Sequence, residues 1–322
     1  MNSDAPAPAE QSALRWIGKP IERKEDAALL TGRAQFIDDM EPVAGLKHAA
    51  ILRSPHPHAR IRKIETSKAA ALAGVTGIVT GAEIAAITRP IPSVVKVAID
   101  YHPIAVEKVR YVGEPVAVVI AEDRYIAEDA LDLIEVEYEP LEAAVDPMWA
   151  MAEGAPVLHD ELGSNIVNQR SFSYGDPDAA FESADRMFEL NYRFPKYAST
   201  PIETFGVTAH YQPSPDRFTA WSNFQGPFVL HPLMARALGV PGNRLRLITP
   251  PASGGSFGIK QSVFPYIVLL GAVSRIVSVP VKWTEDRLEH LMAASSAADR
   301  IGRVEAAFMN DGELVGMRFN NI

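Results

Sequence analysis

The sequence has no cysteine among its 322 residues. That absence removes disulfides, thiolate zinc sites, a catalytic thiol and cysteine-ligated iron–sulfur clusters from its repertoire. It has no surplus of positive charge either: 31 Lys and Arg against 40 Asp and Glu leave a formal net charge of -9. The basic residues are scattered, so no cationic stripe is available to hold a phosphodiester backbone, and nucleic acid is not an expected partner. No window approaches the ~20 uninterrupted apolar residues of a membrane span, and the opening MNSDAPAPAEQSALRW lacks the basic and apolar regions of a secretion signal. A soluble cytoplasmic protein is expected, with residues 1–16 as a short disordered lead.

Three chemical signatures are also missing. The eight histidines show no metal-ligand spacing on a helical pattern. The closest pair, His56-Pro57-His58, has a proline that favours extended chain, which sends the two rings to opposite sides. There is no G-x-S-x-G elbow and no P-loop lysine, so hydrolase and nucleotide-phosphate chemistry lack their usual anchors.

What is present is a globular composition: 47% hydrophobic residues, 25 Pro and 21 Gly, at a length suggesting about two domains. Strand patterns at 48–53, 59–65, 75–80, 115–121 and 135–138 alternate with helix patterns. Ser67 is expected to cap an Ala-rich helix stopped by Gly74, a short helix covers 80–87, and Asp123 caps a helix over 124–134. This alternation argues for an α/β domain of about 140 residues. The Pro- and Gly-punctuated stretch 140–165 reads as a linker. Beyond it come a helix near 178–184, strands at 187–194, 203–211 and 217–223, and a helix at 227–238 closed by Gly239. A strand at 245–248, helices at 263–273 and 285–294, a strand at 279–284 and a pair around Asn310-Asp311-Gly312 follow. The last strand, 314–319, is expected at a sheet edge or in an unfinished domain.

The most informative segment is Ser253-Gly254-Gly255-Ser256-Phe257-Gly258-Ile259-Lys260-Gln261, between an apolar strand and an apolar helix. Without Cβ atoms, Gly254, Gly255 and Gly258 can take positive φ and let backbone N–H groups approach an oxygen-rich ligand, with Phe257 offering a ring beside it. Taken alone the segment is also a common strand-to-helix turn.

The order of several blocks resembles one family. Arg23-Lys24-Glu25-Asp26 with Leu30-Thr31-Gly32 and Asp38-Asp39 comes first, followed by Arg53-Ser54-Pro55-His56-Pro57-His58-Ala59 and Tyr111-Val112-Gly113-Glu114-Pro115-Val116-Ala117. Pro201-Ile202-Glu203, Trp221 with Gln225, the glycine-rich loop, and Pro280-Val281-Lys282 with Arg287 and Glu289 complete the series. Together they resemble the molybdopterin-binding large subunit of the molybdenum hydroxylases, the xanthine dehydrogenase, aldehyde oxidase and aerobic carbon monoxide dehydrogenase family. The resemblance implies a mixed α/β (α+β) fold: an α/β-hammerhead domain over 17–142, a linker over 143–165, and the first part of the molybdenum cofactor-binding domain over 166–322.

It also implies hydroxylation of an electrophilic C–H carbon with oxygen from water, on an aldehyde or N-heteroaromatic substrate. The family's general-base glutamate is not matched here, and Glu114, in an N-terminal block, is read as structural. Gln225 matches the family glutamine that donates near molybdenum. Gly254, Gly255, Phe257 and Gly258 match the loop whose amides meet the cofactor and whose Phe borders the substrate. Ser256 replaces a third glycine, which puts close backbone approach at that point in doubt if its φ is positive. Gln261 stands where purine hydroxylases carry a glutamate and argues against xanthine. Glu203 reads equally as a turn carboxylate and as a pocket residue. No residue is expected to bind the metal directly. The implied cofactor is molybdopterin with molybdenum, as the cytosine dinucleotide, with 2Fe-2S clusters and FAD on partner subunits and a complementary molybdenum-domain chain completing the pocket. Part of an aerobic carbon monoxide dehydrogenase, and a truncated fragment or noncatalytic binding module, remain as alternatives.

Overall fold

The computed structural model describes residues 16–40, 43–92, 97, 99, 101–296 and 298–322. Apart from Trp16, the lead over 1–16 lies outside the described residues. The N-terminal half contains α1 (Asp26–Leu30), β1 (Lys47–Arg53), β2 (Ala59–Glu65), α2 (Ser67–Ala70), β3 (Val75–Thr80), α3 (Gly81–Ile87), β4 (Lys108–Val109), β5 (Pro115–Ala121), α4 (Arg124–Leu131), β6 (Glu135–Pro140) and α5 (Pro147–Ala150). Local chemistry explains most of these bounds. Thr80 and Glu83 form a capping box at the start of α3, and the Asp123 carboxylate accepts from Ile126 N–H at 2.8 Å to open α4. Ser67 does not cap α2 as expected: it is the helix's first residue, and its own N–H is satisfied by Glu65 Oε1 at 3.1 Å. Helix α4 ends three residues before the expected 134, and the turn that replaces its last residues delivers Ile134 to the core.

The second half contains α6 (Pro177–Ser183), β7 (Arg186–Phe194), β8 (Gly206–Gln212), β9 (Arg217–Ser222), α7 (Pro227–Ala237), β10 (Leu245–Ile248), α8 (Phe264–Val277), β11 (Val281–Thr284), α9 (Arg287–Ala293), β12 (Arg300–Phe308) and β13 (Leu314–Asn321). Helix α8 is apolar on every side, and Tyr266 through Ser274 are all buried. It is a core helix, packed against strands β3, β8, β9 and β11. Strand β8 begins three residues later than the sequence pattern indicates, because the chain at Glu203 turns to bond with other segments instead of a neighbouring strand.

Seven strands form one mixed sheet in the order β10-β9-β8-β11-β1-β5-β3. Strand β1 pairs antiparallel with β5 and parallel with β11, so strands from both halves of the chain share a hydrogen-bonded ladder. Every residue of β5, Pro-Val-Ala-Val-Val-Ile-Ala, is buried, as expected for a strand covered on both faces. Smaller sheets β4-β2-β6 and β13-β12-β7 flank it. The stretch 143–165 is tied down rather than trailing: Lys108 pairs with Asp160 at 2.8 Å, and the Asn165 side chain bridges Leu158 N–H and the carbonyls of Ala150 and Pro156. Among the described residues no helix is long and apolar enough to cross a membrane.

Candidate functional site

The sequence blocks that are far apart along the chain meet in space. Arg53, whose side chain is 4% exposed, donates to Glu289 at 2.9 Å, to the Gly113 carbonyl at 2.9 Å and to the Tyr266 hydroxyl at 3.0 Å. Its guanidinium also lies against the stacked Tyr266 and Trp283 rings. Arg287 donates to the carbonyls of Pro201 and Ile202 at 2.7 and 2.8 Å, and Lys282 pairs with Asp38 at 2.6 Å. These contacts hold the turn 201–203 and the N-terminal segment against the start of α8, where the glycine-rich loop sits.

Glu203 is the junction of that assembly. Its carboxylate accepts from Ile37 N–H at 3.2 Å, from Gly254 N–H at 3.0 Å, and from the ammonium of Lys260, which is fully buried. Glu203 N–H in turn donates to the Gly254 carbonyl at 3.3 Å. Burial pushes the Glu203 carboxyl up, but Lys260 and the two amides outweigh it and hold the group below the ordinary carboxylate range. Lys260 responds the other way: burial pulls its ammonium below the ordinary value even with Glu203 beside it. The difference reflects coordination, since among the described residues the carboxylate has three donors while the ammonium has Glu203 as its one hydrogen-bond acceptor. Of the two readings open for Glu203, its contacts are those of a turn carboxylate. Lys260 was not singled out from the sequence; its position in a loop flanked by apolar residues is the signal that a buried cation needs an acid elsewhere.

The glycines divide by task. Gly254 differs from the reading of a cofactor-facing amide, because its N–H is committed to Glu203 and a Cβ there would lie 2.4 Å from Glu203 Cβ. Gly255 and Gly258 do take positive φ, +99° and +93°, which only glycine adopts without strain. Ser256 does not, so the doubt about its backbone is not realised; the strained position is Phe257, at φ +53°. The N–H groups of Gly255, Ser256, Phe257 and Gly258 donate to no acceptor among the described residues. Three of these four residues, Gly255, Phe257 and Gly258, have positive φ, and successive unpaired amides in such backbone can line a concavity that suits an anion.

Around this concavity stand the remaining side chains. Gln225 accepts a hydrogen bond from the Ser256 hydroxyl through Oε1, which leaves its Nε2 as a donor, and its backbone N–H donates to the Lys260 carbonyl at 3.3 Å. Gly226, at φ +69°, is the N-cap residue of α7 directly after it, and Gln261 Nε2 lies beside Gly226. Phe257 is 78% exposed and, with exposed Ile202 and Phe228, gives the concavity an apolar rim. Gln225, Gly255, Phe257, Gly258 and Gln261 thus come together at one mouth, while Glu203 and Gly254 lie beneath it. A groove of about 980 Å³ is bounded by Tyr101, Tyr111, Val112, Phe264, Tyr266 and Met292.

Glu114 does not belong to the mouth. It is buried beside Arg110, whose backbone N–H donates to Oε2 at 2.5 Å, and burial pushes its carboxyl up to about 7. His56 packs edge-on against Tyr138, whereas His58 is buried with Nδ1 2.6 Å from the Glu142 carbonyl. Among the described residues no cluster of His, Asp and Glu could hold a metal ion.

Residues 31–142 match the aldehyde oxidase and xanthine dehydrogenase a/b hammerhead domain, and residues 158–322 match the molybdopterin cofactor-binding domain. The nicotine 6-hydroxylase large subunit of Paenarthrobacter nicotinovorans is 38% identical over 306 residues, 94% of this chain and 37% of that protein. The crystal structure of quinoline 2-oxidoreductase from Pseudomonas putida 86 superposes with a TM-score of 0.87 at 33% identity, covering 94% of this chain and 39% of that one. CO dehydrogenase from Oligotropha carboxidovorans gives 0.85 at 32% identity, over 98% and 41%. The chain spans about two fifths of the length of these relatives. Two family models that fall in order along the chain, and relatives aligned over nearly all of it, agree with the geometry of the loop: the chain belongs to the family of molybdopterin cofactor-binding proteins of the aldehyde oxidase and xanthine dehydrogenase type.

Proposed function

We propose that this chain supplies one wall of the active site of a molybdenum hydroxylase that oxidises an N-heteroaromatic ring or an aldehyde, with the oxygen taken from water. The observation that carries the reading is the run of four N–H groups from Gly255 to Gly258, and the Nε2 of Gln225 beside them, that have no acceptor among the described residues. These donors fit an anionic, oxygen-rich group such as a molybdopterin, and the missing Cβ at Gly258 faces open space that leaves room for its close approach, whereas that at Gly255 lets the loop close against Phe257 and Pro201. When bound, that group supplies the two-electron oxidation. The residues here would hold and orient: the loop amides would hold the cofactor, Gln225 would offer its Nε2 as a hydrogen-bond donor toward it, and Phe257 would wall the substrate slot and keep water from it.

The substrate class rests on two observations. Gln261 at the mouth cannot ionise, so it cannot act as an acid or base toward a purine. Nicotine 6-hydroxylase and quinoline 2-oxidoreductase are named for N-heteroaromatic substrates, which favours that class over carbon monoxide, the second reading, for which a CO dehydrogenase relative speaks. The cofactor form proposed is the cytosine dinucleotide. Partner subunits carrying 2Fe-2S clusters and FAD would take up the electrons, and further molybdenum-domain polypeptide would supply the rest of the pocket, general base included. The test is metal and exchange analysis. The chain purified alone from a molybdenum-sufficient host should hold little molybdenum, whereas in the assembled enzyme molybdenum is stoichiometric and the amides of 255–258 are protected from hydrogen exchange. Stoichiometric molybdenum in the isolated chain, or unprotected loop amides in the loaded enzyme, would overturn the reading.

A further inference from the structure

The sheet β13-β12-β7 has two unlike faces. Its register pairs Phe188 with Ala306 and Ala306 with Met317, and pairs Leu190 with Val304 and Val304 with Phe319. Directly paired residues point to the same side, so Phe188, Leu190, Phe194, Val304, Met317 and Phe319 share one face. The five largest of these are each between 46% and 68% exposed. The other face carries Glu189, Glu305, Arg303 and Arg318. Its charges are paired, Arg303 with both acids at 2.9 and 3.0 Å, and α6 covers it where Ala180 and Phe181 press on Gly316. Both strand acids lie on that face. The apolar face has none, and its charged residues are Arg186 and Arg300 at opposite ends of the β7–β12 pair.

A sheet covered by a helix on one side only is an incomplete layer, and an uncovered apolar patch spread over three strands marks an interface. We propose that this face is covered by further polypeptide of the molybdopterin-binding subunit, an apolar layer with acidic margins that meet Arg186 and Arg300. The relatives, of which this chain spans about two fifths, have length beyond the matched part from which such polypeptide could come. A second copy is a poor occupant, because it would bring the same two arginines and no acid to the joint. The inference rests on the reading of the chain as part of a cofactor-bearing subunit.

The probe is the portion of the Paenarthrobacter nicotinovorans nicotine 6-hydroxylase large subunit that lies beyond its match to this chain, co-expressed with the tagged chain. Wild type should recover it. The double variant Leu190→Glu, Phe319→Glu should recover on the order of tenfold less or worse, as expected when central apolar anchors are lost. Glu305→Gln, on the covered face, should behave as wild type. Circular dichroism checks folding, and should the double variant fail to fold, Arg186→Glu with Arg300→Glu provides the charge-reversal arm, again with reduced recovery. Equal recovery by the face variants, no recovery by wild type, or a homodimer of the chain that the double variant abolishes would each overturn the proposal. Molybdenum is measured in the same samples: a captured probe without molybdenum supports the docking face while counting against the proposed function.

Discussion

Replacing Lys260 by Met removes the cation beneath the loop and leaves Glu203 with its two backbone donors. Deleting one member of a buried ion pair costs about 3–5 kcal/mol. Glu203 is 13% exposed and keeps Ile37 and Gly254 as donors, which puts the loss at the lower end, about 3 kcal/mol. Unfolding entropy of about 2.1 cal/mol/K per residue over 322 residues is about 0.7 kcal/mol/K, so Tm should fall by about 4 °C. Combining Lys260→Met with Glu203→Gln removes both charges while retaining an acceptor for the two amides, and should return Tm to within about 2 °C of wild type. Acid dependence provides an independent check. Because the folded-state Glu203 lies below its ordinary value of 4.5, its contribution is complete above that value and is lost as pH falls through the lower folded one. Wild type and Glu203→Gln should therefore converge in acid. The assays are calorimetry across pH and hydrogen exchange at the Gly254 amide, which should accelerate in Lys260→Met. A Lys260→Met protein that melts within 1 °C of wild type, with unchanged Gly254 exchange, would refute the reasoning.

In the assembled enzyme, Gln225→Ala should lower turnover on the order of ten- to a thousandfold with Tm unchanged, as for loss of one preorganised donor; Phe257→Ala should shift the ratio of kcat/KM between small and bulky substrates as well as the rate. Glu114 carries a carboxyl raised to about 7 by burial, so the folded state holds a proton that the unfolded chain releases and stability declines as pH rises from 4.5 to 7. Glu114→Gln should accordingly gain on wild type across that window, by at most about 3 kcal/mol, and thermal melts at pH 5 and 8 that give the same difference would count against it. Gly254→Ala places a Cβ 2.4 Å from Glu203 Cβ and should destabilise measurably, whereas Ser256→Gly, at a residue without positive φ, should leave Tm nearly unchanged and loosen Gln225.

Most strands were legible because their residues alternate or run apolar: β5 is a continuous Val/Ile run and is buried throughout. The capping acid Asp123 likewise marks a true helix start. Partnership across the chain was not legible. Nothing local to Lys47 announces Val281 as its ladder partner, and the start of β8 was misplaced because Glu203 reads as strand until Lys260 and Gly254 are seen beside it. The loop shows the same division. Its glycines announced an unusual backbone, but which residue carries positive φ, Phe257 rather than Ser256, and which amide is consumed, that of Gly254, depend on contacts with residues about fifty positions earlier.

The parallel pairing of β1 with β11 has a consequence for how the chain is made. When the strands β1, β3 and β5 have left the ribosome they can already zip together, but β1 then presents an open edge with Ala49, Ala50 and Ile51 beside it. The strand that closes that edge begins at Val281. At translation speeds of about 5–20 residues per second, the half-sheet waits roughly eight to thirty seconds with its backbone donors and acceptors open to any passing strand. Recovery of folded chain from a cell therefore depends on how that edge is shielded during those seconds, and slower elongation between β5 and β11 lengthens the hazard without changing a single contact of the finished fold.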